Sequence, residues 1–102
     1  MKKIVLVCVK NYDAFACEVA KDIQRAADEA GIEIECSSMT AAELHRLPKD
    51  TDLVLFAPPR YRHLDRIKKI CPNAKIDMID FNLYALRDGK AILEFAKNIL
   101  GS

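Results

Sequence analysis

Ile4-Val5-Leu6-Val7 runs straight into Cys8, and Leu53-Val54-Leu55-Phe56-Ala57 repeats the same unbroken apolar texture before Pro58-Pro59. Strand-length runs without a polar residue mark strands covered on both faces, and proline ends such a strand because it brings no N–H to the ladder. The first run predicts an interior strand, the second the middle of a parallel sheet. After the first comes the loop Val9-Lys10-Asn11-Tyr12-Asp13, then a helix in which Ala16, Val19, Ala20, Ile23, Ala26, Ala27 and Ala30 recur at helical spacing. Asp13 is its expected N-cap and Gly31 its C-terminal cap.

The alternation continues along the chain. Residues 32–36 interleave apolar and acidic side chains as a half-buried strand does, and Ser37-Ser38 should end it. Thr40-Ala41-Ala42-Glu43 has the capping-box pattern, starting a short helix that must stop before Pro48. A basic helix is expected from about Arg60 to Cys71, with Leu64, Ile67, Ile70 and Cys71 inward, followed by a turn at Pro72-Asn73. Lys75 to Asp80 reads as a fourth strand, and Asp88 begins a last helix whose Ile92, Leu93, Phe95, Ala96, Ile99 and Leu100 face the sheet. Strands alternating with helices imply right-handed crossovers and a small doubly wound α/β three-layer sandwich on a four-stranded parallel sheet.

Composition narrows the function. At 102 residues, 51% hydrophobic and 30% charged, the chain makes one compact domain over 1–102. The formal net charge is +1 with both signs interleaved, so there is no electrostatic footprint for nucleic acid or a membrane surface. No apolar run approaches the roughly 20 residues that cross a bilayer, and Met1-Lys2-Lys3 leads into a strand rather than a signal peptide, so a cytoplasmic location and no membrane insertion are expected. Cys8, Cys17, Cys36 and Cys71 lie 9, 19 and 35 residues apart, with no Cys-x-x-Cys, so neither a disulfide framework nor a zinc site is expected.

In doubly wound sheets ligands meet the crevice outside the carboxyl ends of the strands. The loops after Val7, Ala57 and Asp80 should converge there, making Cys8, Arg60 and the segment Phe81 to Arg87 candidate neighbours. A thiol at that place, against helix N–H groups, would have a lowered pKa and act as a nucleophile.

Met1 to Cys8, Asp52 to Pro58, Ile79-Asp80 and Tyr84 to Leu93 resemble the IIB component of the lactose and cellobiose family of bacterial sugar phosphotransferase systems. The resemblance implies phosphoryl transfer. Cys8 would accept a phosphoryl group from a histidine of a IIA protein and pass it to a sugar held by the membrane IIC component, with no metal or cofactor. The implied phosphate site is Cys8 with the N–H groups of Val9, Lys10, Asn11, Tyr12, Asp13 and Ala14, aided by Arg60.

The loop departs from the family, whose phosphate loops are rich in Gly, Ser and Thr. No glycine precedes Gly31, no Ser or Thr stands between Cys8 and Ser37, and Ala57 and Ala85 occupy places where the family has glycine. The alternative is therefore a non-catalytic IIB-like module, or a scaffold whose phosphate loop was lost, replaced or rewritten. A carrier predicts N–H groups directed at an anion and a thiol midpoint below about 8.5, whereas a module predicts Tyr12 or Asp13 filling that space. A third reading, Cys8 attacking an ester-like electrophile, would need His63 as its base.

Overall fold

The computed structural model describes residues 1–58 and 63–101. Four strands form one parallel sheet: β1 (Lys2–Cys8), β2 (Ile34–Thr40), β3 (Leu53–Phe56) and β4 (Lys75–Met78), in the spatial order β2-β1-β3-β4. Around it stand α1 (Asp13–Glu29), α2 (Leu64–Ile70), α3 (Phe81–Ala85) and α4 (Gly89–Leu100), with 3-10 turns at Lys10–Tyr12 and Ala41–Arg46. The two continuous apolar runs are the two interior strands.

Their side chains alternate between two cores, as the period of a strand requires. Ile4, Leu6 and Cys8 of β1, with Leu53, Leu55 and Ala57, pack against the buried Ala16, Val19, Ala20 and Ile23 of α1 and Ile92, Leu93 and Ala96 of α4. Val5, Val7, Val54 and Phe56 pack on the other side against Leu44, Leu47, Ile67 and Cys71. Helices therefore cover both faces, the three-layer α/β arrangement expected. Because β1 and β3 lie side by side, Cys8 and Ala57 end up together at the carboxyl end of the sheet.

Several boundaries differ from expectation. Strand β2 runs on through Ser37 and Ser38 to Thr40, because all seven of its residues pair with β1 and backbone hydrogen bonds outweigh the low strand preference of serine. Strand β2 is an edge, and α1 protects it: Gln24 donates to the Ile34 carbonyl and accepts from the Cys36 N–H, each at 2.8 Å. The fourth strand stops at Met78, and Asp80 instead caps an unforeseen helix, α3, accepting from the N–H groups of Asn82 and Leu83. Ala30 is exposed beyond the end of α1.

At the start of α1 the N-cap is Tyr12, not Asp13, which is already helical and accepts the N–H of Ala14 at 3.1 Å. Gly31 does follow the helix with φ +69°, a conformation that costs other residues strain. The Thr40 turn is 3-10, with Glu43 Oε1 accepting both the N–H and the hydroxyl of Thr40 at 3.0 Å. Helix α2 starts at Leu64 after His63; Arg60, where this helix was expected to begin, lies outside the described residues.

Candidate functional site

Cys8 closes β1 and is 4% exposed, on the wall of a cavity of about 210 Å³. The floor includes Cys8, Val9, Ala57 and Pro58, so it joins the ends of the two interior strands. Aromatic rings make the rest: Tyr12 and Phe15 from the start of α1, Phe81 and Tyr84 from α3. Phe15 meets Tyr84 edge to face, with ring centroids 5.1 Å apart. The convergence expected of the loops after β1, β3 and β4 is thus present for Cys8, Ala57, Phe81 and Tyr84. Arg87 is not part of it, since its guanidinium is held on α1 by Asp22 at 2.8 and 3.2 Å.

The electrostatics run against the expectation of an acidified thiol. Burial, followed by the negative charges of Asp13, Glu43 and Cys17, raises the Cys8 thiol from 9.0 to about 11. The thiol donates to the Met39 carbonyl at 3.5 Å, so it is held in its neutral form. An apolar wall and a nearby carboxylate both disfavour a thiolate. The lowered pKa inferred from a helix N-terminus is overturned because desolvation dominates.

The turn after Cys8 uses much of its own hydrogen-bonding capacity. Tyr12 N–H donates to the Val9 carbonyl at 2.9 Å, Asp13 N–H to the Lys10 carbonyl, and Ala14 N–H to the Asp13 carboxylate. Of the expected phosphate-binding positions this leaves at most the N–H groups of Val9, Lys10 and Asn11 for an anion. The side chains of Lys10 and Asn11 are exposed, and Arg60 lies outside the described residues.

Of the aromatic residues that shape the cavity, Phe81 and Tyr84 fall in the segment expected there, whereas the sequence reading does not single out Phe15. Phe15 stands beside the inward stripe of α1 rather than in it, and Phe81 follows a helix-capping aspartate; both are large apolar side chains left partly or largely exposed. Such misplacement was the available signal. Tyr84 also opens the stretch, Tyr84 to Leu93, on which the family resemblance rests. Its hydroxyl is buried without a partner among the described residues, and burial, then negative charge at Cys8, pushes the phenol up from 10.0 to about 12. His63 is not among the cavity-lining residues, so the thiol-catalyst reading has no histidine in the site. Among the described residues no cluster of His, Cys, Asp and Glu could hold a metal ion, and no helix is long and apolar enough to cross a membrane.

The sheet is a parallel α/β sheet in 2-1-3-4 order with Cys8 at the carboxyl end of its first strand. No protein-family model matches the chain, and no curated protein matches it in sequence. Its fold is nevertheless that of the lactose- and cellobiose-specific IIB components of the phosphotransferase system. The lactose-specific IIB domain from Streptococcus pneumoniae superposes with a TM-score of 0.78, covering 96% of this chain and 96% of that one at 15% identity. The cellobiose-specific IIB component from Borrelia burgdorferi gives 0.67 over 97% of this chain and 93% of that one at 20% identity. At these identities the likeness is one of fold.

Proposed function

We propose that this chain uses the IIB fold as a binding module and does not carry a phosphoryl group. The observation that supports this is the state of the turn after Cys8: its Tyr12, Asp13 and Ala14 N–H groups are engaged within the turn. A phosphocysteine would place an anion beside Asp13 and against aromatic walls, where neither desolvation nor charge favours it. The module would act in the cytoplasm, on or beside the protein partners of a sugar phosphotransferase system.

A second reading is the phosphocarrier itself, favoured by the likeness to IIB structures over almost all of both chains and by Cys8 lining a cavity at the strand end. In it the Cys8 sulfur attacks the phosphorus of a IIA phosphohistidine, the S–P bond forms as the N–P bond breaks, and the thiol proton ends on the departing imidazole. The N–H groups of Val9, Lys10 and Asn11, with Arg60, would hold the phosphoryl oxygens. A sugar hydroxyl held by a IIC protein would then attack the phosphorus, the O–P bond forming as the S–P bond breaks and the hydroxyl proton passing to the released Cys8 sulfur.

One experiment separates the two. The chain is incubated with phosphorylated IIA proteins of the lactose and cellobiose type and examined by phosphorus NMR and by mass spectrometry of the Cys8 peptide. The module predicts no S-phosphoryl signal. Transfer that disappears in Cys8→Ser would establish the carrier instead.

A further inference from the structure

We propose that the chain pairs with a second copy of itself across the aromatic opening beside Cys8, each copy's Tyr12 ring seated in the other's cavity and each Lys10 meeting the other's Asp13. This deepens the binding-module reading by naming a partner for that face, and it rests on that reading, because a phosphocarrier must keep Cys8 open to its donor. What singles out a second copy is that the surface is complementary to itself in shape and in charge.

Tyr12 and Phe81 are each 66% exposed and Phe15 is 38% exposed, and all three border one cavity. At about 200 Å² per ring they leave roughly 300 Å² of aromatic surface in water, the size of patch that marks an interaction site on a monomer. An apolar cavity of about 150 Å³ accepts benzene. The one here, of about 210 Å³, therefore holds one ring. Each copy thus carries a projecting ring and a hollow for one at the same opening, as a two-fold interface requires, where residue i meets j and j meets i. Charge repeats the pattern. Lys10 and Asp13 stand on either side of Tyr12, both exposed, and neither belongs to an ion pair among the described residues. A two-fold axis brings each ammonium to the other copy's carboxylate, whereas a partner of one charge sign would set Lys10 or Asp13 against its own sign. A formal net charge of +1 raises no long-range repulsion between copies.

The test is sedimentation equilibrium of the full chain between about 10 µM and about 1 mM. A concentration-dependent dimer is expected. Tyr12→Ala should weaken it at least about tenfold, as loss of a central aromatic anchor does. Lys10→Glu or Asp13→Lys alone should weaken it by about the same factor, because like charges then face one another across the axis. An equimolar mixture of those two variants should dimerise again, since one then carries two acidic groups and the other two basic ones. Far-ultraviolet circular dichroism identifies any variant that has lost its fold, and Phe81→Ser, at a largely exposed position away from the start of α1, should weaken the dimer independently. A chain that stays monomeric at about 1 mM, with or without a IIA protein bound to this face, would overturn the proposal. So would a dimer indifferent to Tyr12→Ala and Phe81→Ser, or charge-reversed variants whose mixture stays monomeric. A monomer whose Cys8 also remains unphosphorylated by IIA proteins sinks this inference alone. Phosphorylation of Cys8 in a chain that dimerises as described sinks the module reading alone.

Discussion

A sulfur at the end of an interior strand takes its chemistry from whatever the neighbouring loops put against it. For Cys8 those neighbours are aromatic rings, the Met39 carbonyl and carboxylate charge, and together they keep the proton on. Alkylation of Cys8 by iodoacetamide, followed by mass spectrometry, should therefore be slow near neutral pH and rise with pH toward a midpoint of about 11. A midpoint below 8.5 would contradict this account. Asp13→Asn removes one of the raising charges but not the burial that contributes most, so the midpoint should fall while staying above 9.0. A drop to the ordinary value or lower would mean that charge, not desolvation, governs the thiol.

Elements meet at points where side-chain size is decisive. Gly89 opens α4 against α1, and a Cβ there would stand 2.5 Å from the Asp22 carbonyl oxygen, which belongs to the α1 backbone and cannot swing away. Gly89→Ala should cost about 1–3 kcal/mol, as overpacking does, measurable by urea unfolding. Gly31→Ala meets no atoms but must hold φ +69°, so its cost should be about 1 kcal/mol and purely conformational. If the two substitutions destabilised equally, the close α1–α4 approach would be in doubt. Helix α3 illustrates why some elements escape sequence reading: five residues are too few for an apolar periodicity, and only the Asp80 cap marks its start.

Across the whole molecule, buried and half-buried neutral acids set the alkaline limit of stability. Cys8 is raised from 9.0 to about 11, Cys36 from 9.0 to about 12 and Tyr84 from 10.0 to about 12, in each case chiefly by burial. The unfolded chain gives up these protons from about pH 9, whereas the folded chain keeps them until about 11 or 12. Their contribution is complete below pH 9 and is lost as pH rises through the folded values. The melting temperature should accordingly decline between pH 9 and 11, and a flat profile there would refute the burial of these groups. At the acid end the sign reverses, because Arg87 beside Asp22 and Lys3 beside Asp50 hold those carboxyls below their usual range. That stability is present above the ordinary carboxylate range and is lost as pH falls through the depressed values.

The apolar runs at Ile4–Val7 and Leu53–Ala57, the α1 stripe and the caps at Gly31 and Asp88 were legible because burial and backbone geometry impose themselves on contiguous residues. Those local demands were enough to specify the strands, the longer helices, the parallel sheet and the position of Cys8 at its carboxyl end, but not the five-residue α3. The character of the site was not local. Whether the thiol is acidic or neutral depends on Asp13 and Glu43, on the Met39 carbonyl, and on rings from two helices that only the folded chain brings together. Desolvation and hydrogen-bond competition are sums over neighbours distant in sequence, so tertiary structure alone decided that the strand-end cavity is aromatic and its sulfur protonated.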